Sequence, residues 1–164
     1  MSRLHVFCMV FLGGMLIVSP TSWAETGCLD YSSSITLSGD PQNPYGLYFG
    51  EKTVTIGNQS FEHVPTTLII GELKLGDDGT LHAVDTVIVA FGDLGTLILT
   101  EHAVASPTDV PYVYRVNSRF DICVSEDPKC TGYFENAFGR ISFHGYVDFS
   151  SAIVTGSDKG KICW

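Results

Sequence analysis

Apolar residues along most of this chain recur at every second position, and Gly, Asp or Pro breaks the pattern every eight to twelve residues. Beyond residue 24 no stretch sustains the 3.6-residue apolar repeat that an amphipathic helix requires. Successive side chains of an extended strand point to opposite faces, so a period of two buries one face and wets the other. Residues 112–122 show it best: Tyr112, Tyr114, Val116, Phe120 and Ile122 share one parity, and Arg115, Asn117, Arg119 and Asp121 share the other. Ile141, Phe143, Val147 and Phe149 alternate in the same way with Arg140, Ser142, His144, Tyr146 and Asp148. The pattern predicts an antiparallel β protein.

Turn residues divide it into strands. Gly57-Asn58 separates 54–56 from 61–64, Gly76-Asp77-Asp78-Gly79 ends a strand over 67–75, and Gly92-Asp93-Leu94-Gly95 joins 80–91 to 96–105. Glycine takes positive φ at little cost there, and aspartate bonds nearby backbone groups. Pro107 and Pro111 remove two backbone donors and make 106–111 a loop. Residues 29–50 are rich in Ser, Gly, Pro and Asn and read as one strand, 34–37, followed by a mobile loop over 38–46; a final strand pair surrounds Ile153 and 160–163. About eight strands with short links leave no room for crossover helices. The expectation is a closed eight-stranded antiparallel barrel, which has no exposed edge, with a β-sandwich as the alternative. In residues 81–91, Leu81, Ala83, Val87, Val89 and Phe91 alternate with Val84, Ile88 and Ala90, so both faces are apolar and the outer one calls for a cover: the N-terminal segment, or a partner subunit in a homo-oligomer.

Arg3, an apolar run from Val6 to Val18, and small residues before a cut between Ala24 and Glu25 have the layout of a cleaved secretory signal peptide over 1–24. Its apolar run is shorter than the roughly 20 residues that span a bilayer, so no membrane span is expected after cleavage. Removing 24 of 164 residues leaves 140, one domain over 25–164. Loss of Arg3 leaves 8 Lys and Arg against 18 Asp and Glu, a formal charge of −10 that repels nucleic acid. Four cysteines remain, Cys28, Cys123, Cys130 and Cys163, as expected of a secreted or periplasmic domain. Three pairings are open to them; the preferred one joins Cys28 to Cys163 across the ends of the domain and Cys123 to Cys130 across a short turn. A Cys-x6-Cys spacing is not a zinc pattern.

No catalytic signature stands out. Gly-x-Ser-x-Gly is absent, and no Gly-rich turn opens a helix to cradle phosphate. His63, His82, His102 and His144 fall on separate segments without ligand spacing, so no metal and no cofactor is expected. Asn58-Gln59-Ser60 is a glycosylation acceptor only in a host that glycosylates its secreted proteins. The candidates for lining a ligand site are Glu72, Glu101, His102 and His144, whose acid–base character burial among apolar groups would tune, together with Tyr112 and Tyr114, whose hydroxyls could orient a carbonyl or phenol. Adjacent strand residues face opposite ways, so Glu101 and His102 cannot both enter one cavity without a bulge.

The stretch Gly132-Tyr133-Phe134-Glu135-Asn136-Ala137-Phe138-Gly139-Arg140-Ile141, followed by Phe143-His144-Gly145-Tyr146-Val147-Asp148, resembles the glycine-and-aromatic hairpin of the allene oxide cyclase and dirigent barrel superfamily, with secreted bacterial members as the nearer comparison. The resemblance implies an eight-stranded barrel around a largely apolar cavity, often in an oligomer, acting in some members as a cofactor-independent cyclase or isomerase. It carries no catalytic residue over to this chain. Gly132 and Gly139 suit tight turns, and Tyr133, Phe134 and Phe138 suit a barrel plug. The expected function is therefore binding of a small apolar ligand or a protein partner by a secreted barrel; the alternative is a cyclase or isomerase using a buried carboxylate or histidine in the cavity.

Overall fold

The computed structural model describes residues 27–164. The expected signal peptide over 1–24 lies outside the described residues. Eight strands form one closed antiparallel barrel in simple sequence order, and the sandwich alternative is excluded. They are β1 (Cys28–Gly39), β2 (Leu47–Ile56), β3 (Gln59–Leu75), β4 (Leu81–Ala90), β5 (Thr96–Pro107), β6 (Val113–Ile122), β7 (Phe138–Asp148) and β8 (Ile153–Cys163). Each strand pairs with its sequence neighbours, and β8 returns to β1 with Cys28 opposite Cys163.

The Gly57-Asn58 hairpin and the 76–79 turn stand where the turn residues place them. β1 is three times longer than the expected 34–37, because serine and threonine on its outward parity look apolar to nobody and polar to solvent, while Tyr31, Ser33 and Leu37 alternate inward. The segment after it forms successive hydrogen-bonded turns, Asn43 N–H to Asp40 O at 2.9 Å and Gly46 N–H to Asn43 O at 3.1 Å. Tyr45 then packs on Phe149 with ring centroids 5.0 Å apart.

The lower end, where β1, β3, β5 and β7 begin, is plugged by aromatic rings. Phe91 meets Phe61 edge-on at 5.3 Å and Phe134 at 4.8 Å, and Tyr133 lies 4.8 Å from Trp164. A short 3-10 turn at Gly132–Phe134 carries Phe134 into this plug. Phe138 departs from expectation: it is exposed on the outward parity of β7 and plugs nothing. The interior is apolar except for buried polar side chains at mid-height, and Arg115, Arg119, Arg140, Lys159 and Lys161 lie exposed outside β6 to β8. Among the described residues no helix is long and apolar enough to cross a membrane.

Both expected disulfides are present, Cys28–Cys163 and Cys123–Cys130. The second closes a loop rather than a hairpin turn. That loop continues the β5 ladder through Cys123 N–H to Ile98 O at 2.9 Å and Thr131 N–H to Thr96 O at 3.0 Å. It thereby covers Ile98, which is buried although it faces outward. Higher on the same wall, Val84 and Phe49 remain about half exposed, and no described residue supplies the cover expected there. The two bonds close loops with sequence separations of 135 and 7. Because loop-closure entropy grows with loop length, removing Cys28–Cys163 by paired serine substitution is expected to cost about 2–3 kcal/mol more than removing Cys123–Cys130. Urea denaturation of the two variants measures the difference, and equal losses would contradict it.

Candidate functional site

The upper half of the barrel holds a cavity of about 70 Å³. That is several times the roughly 10–15 Å³ that one water needs. Small side chains on neighbouring strands help to open it: Ala83 on β4 and Ala103 and Ala105 on β5 line it together with Phe143, Val147 and Phe149. Phe149 lies at the upper end between Tyr45 and Tyr114, 5.0 and 5.3 Å from their rings. Everything in the wall is apolar except Lys52, Asp85, Glu101 and Asp158.

These four belong to a polar belt around the middle of the barrel, every member of which sits on the inward parity of its strand. On one side, Asp158 of β8 accepts hydrogen bonds through Oδ2 from Ser33 Oγ of β1 at 2.6 Å and Lys52 Nζ of β2 at 3.1 Å. Lys52 and Asp158 side chains are 1% and 2% exposed, so this is a fully buried ion pair. Burial works against the Lys52 charge, but Tyr31 and Asp158 outweigh it and hold the ammonium above the usual lysine range. The ammonium also stands 5.9 Å from the centroid of the Tyr31 ring. Asp158 Oδ1 is buried without a hydrogen-bond partner among the described residues.

On the other side, Asp85 and Glu101 are directly opposite each other on β4 and β5, both buried and both pointing inward. Asp85 Oδ1 accepts the Gly71 N–H at 2.9 Å. Gly71 lies in a bulge where the β3–β4 register shifts between Ile69 and Glu72. A Cβ at Gly71 would stand 2.0 Å from the Val84 carbonyl oxygen, so only glycine lets the backbone approach closely enough to make this bond. The bulge also switches parity, which is why both Ile70 and Leu73 line the cavity. Glu101 Oε1 accepts from Ser118 Oγ of β6 at 2.5 Å. Desolvation pushes the Asp85 carboxyl up to about 6 and the Glu101 carboxyl up to about 8, the latter further raised by Asp85 and Asp158 and opposed by Ser118 and Lys52.

Of the six candidate side chains, only Glu101 enters the cavity. Glu72 lies outside, ion-paired with Lys74 at 3.4 Å and largely exposed. It follows the bulge, so it does not share the face of Ile70. His102 is the outward neighbour of Glu101 and lies 3.5 Å from Asp121. His144 faces solvent and bonds Asn117 Oδ1 through Nδ1 at 2.8 Å. Tyr112 is 68% exposed in the loop before β6, with φ of 65°, because β6 begins only at Val113. Tyr114 packs on Phe149, outside the cavity wall. Lys52, Asp85 and Asp158 join the site beyond the sequence expectation, although each interrupts an apolar parity: Lys52 precedes Val54 and Ile56, Asp85 falls between Ala83 and Val87, and Asp158 lies between Val154 and Ile162. A charge on the buried parity of a strand is the signal that finds them. No group of three or more His, Cys, Asp or Glu side chains among the described residues is placed to hold a metal ion.

Comparison with protein-family models, with curated proteins and with solved structures finds no match to this chain.

Proposed function

We propose that this chain is a secreted or periplasmic binding barrel that holds a small, largely apolar ligand in the upper half of its interior. The observation that carries the reading is the alanine-thinned apolar cavity above a plugged lower end. Apolar walls with a few converging polar groups are the usual make-up of a small-molecule pocket. Two disulfides suit an oxidising compartment, and the resemblance of 132–148 to allene oxide cyclase and dirigent barrels implies a largely apolar cavity of this kind.

Filling the space tests it. Ala103→Leu with Ala105→Leu adds side-chain volume to the cavity wall and is expected to weaken binding of a hydrophobic fluorescent probe by tenfold or more, since the displaced contacts have no alternative site. Native mass spectrometry of protein from its own host should show a bound small molecule; an empty wild type that takes up no probe would end the proposal. A second reading, a cofactor-independent cyclase or isomerase, is favoured by one feature, the protonatable Glu101 at the cavity floor. It requires that Glu101→Gln keep the bound molecule but stop its conversion, whereas the binding reading requires no conversion by either protein.

A further inference from the structure

The cavity floor carries three carboxyl groups, Asp85, Glu101 and Asp158, and one ammonium, Lys52. Lys52 is committed to Asp158 at 3.1 Å, on the β2 and β8 side. That leaves Asp85 and Glu101 without an ion-pair partner among the described residues, although they are cross-strand partners in register. Side chains directly opposite in an antiparallel pair stand about 5 Å apart at Cβ, and like charges in that position repel. Closed sheets normally fill such positions with apolar residues, as the layers above and below do here with Ala83 opposite Ala103 and Val87 opposite Leu99. Each acid is instead held in place by one specific donor: Asp85 by the Gly71 amide, Glu101 by the Ser118 hydroxyl. Those bonds use one oxygen of each carboxyl. Across the floor, Asp158 Oδ1 is a further buried acceptor with no partner among the described residues. The buried Tyr31 hydroxyl beside Lys52 also lacks a partner among the described residues but does not line the cavity, so the unpartnered polar atoms that face the cavity are carboxyl oxygens, and the walls above are apolar.

We propose, resting on the pocket reading above, that the occupant is a lipophilic amine whose ammonium sits on Asp85 and Glu101 and whose hydrocarbon part fills the space beneath Phe149. An ammonium supplies three donors to these carboxyl oxygens and compensates the charge that the paired acids carry once ionised. A carboxylate ligand would add a fourth acid to the floor, and an alcohol brings a single donor. All charged or titratable groups facing this space are accounted for by the four named residues, with Tyr31 beside Lys52. Because the charged amine favours ionised acids, its binding expels protons from the floor.

Isothermal titration of the full mature protein with hexylamine, 1-hexanol and hexanoate at pH 7.5 separates the possibilities. Hexylamine should bind about tenfold or more tighter than hexanol, as expected of charge-assisted bonds over neutral ones, with hexanoate weakest. Repeating the hexylamine titration in buffers of different ionisation heat should reveal proton release, which hexanol should not show. In Asp85→Asn with Glu101→Gln, where both amides can still accept from Gly71 and Ser118, the advantage of hexylamine should shrink to within about twofold of hexanol. If the double variant does not fold, Glu101→Gln alone must lose most of the proton release. Hexanol or hexanoate binding as tightly as hexylamine to wild type would overturn the amine assignment while leaving an apolar pocket. Silence from all three probes would overturn the pocket itself, and this assignment with it.

Discussion

Lys52→Met should destabilise the folded protein by about 3–5 kcal/mol, the usual consequence of stranding one member of a buried ion pair. Lys52 and Asp158 are each almost completely enclosed, and Asp158 already carries one oxygen without a partner. Removing the ammonium leaves that carboxyl with only the Ser33 hydroxyl in a low-dielectric interior. Lys161 and Asp30 provide the control. Their N–O distance is also 3.1 Å, but the two side chains are 64% and 83% exposed. Exposed pairs are worth about 0–1 kcal/mol, so Lys161→Met should change stability by no more than that. Two contacts of equal length thus differ severalfold in consequence because of burial alone. The double variant Lys52→Met with Asp158→Leu should recover to within about 2 kcal/mol of wild type, since replacing both charges with apolar groups of similar size is often neutral. Urea denaturation at pH 7 measures all four proteins; a Lys52→Met loss below about 1 kcal/mol would mean that water reaches the pair.

The barrel was legible because closure and alternation are properties of parity, and parity survives in a single sequence. Val116 to Ile122 and Ile141 to Phe149 both bury the face that their pattern assigns. Turns at Gly57 and Gly76 were equally plain, since they rest on local backbone chemistry. The belt was not found in the same way. Asp85 and Lys52 read locally as solvent-seeking residues, and their burial is decided by partners far along the chain: Asp158 is 106 residues from Lys52, and Glu101 is 16 residues from Asp85. Glu72 failed for a different reason. A bulge shifts parity by one, and only the Gly71–Asp85 contact across strands shows that it occurs there. Tyr112 was misplaced by a single residue at a strand end, where the positive φ of the loop takes over from alternation.

Stability should fall as pH rises from about 5 to 8.5, opposite to the behaviour of a protein whose carboxylates are mostly salt-bridged. The unfolded chain releases the Glu101 proton near 4.5 and the Asp85 proton near 3.8, whereas the folded chain holds them to about 8 and about 6. Below both ordinary values each state is protonated and burial carries no ionic penalty. Between the unfolded and folded values only the unfolded state ionises, so folding takes up a proton and weakens with every increment of pH. Above pH 8 both states are ionised and the loss is complete. At 1.36 kcal/mol per unit, the full separation between unfolded and folded values amounts to a fall on the order of 5 kcal/mol for Glu101 and on the order of 3 kcal/mol for Asp85, the latter mostly below pH 6. Asp78 and Asp148, held low by the hydroxyls of Thr80 and of Ser150 and Ser151, act in the other direction but only in more acidic solution. Glu101→Gln keeps an acceptor for Ser118 and cannot ionise. It should flatten the profile between pH 6 and 8.5 and be more stable than wild type at pH 8.5, as read from urea midpoints with unchanged slopes. A wild-type curve that stays level or climbs over this range would show that Glu101 ionises freely, and so that the belt is wet rather than enclosed.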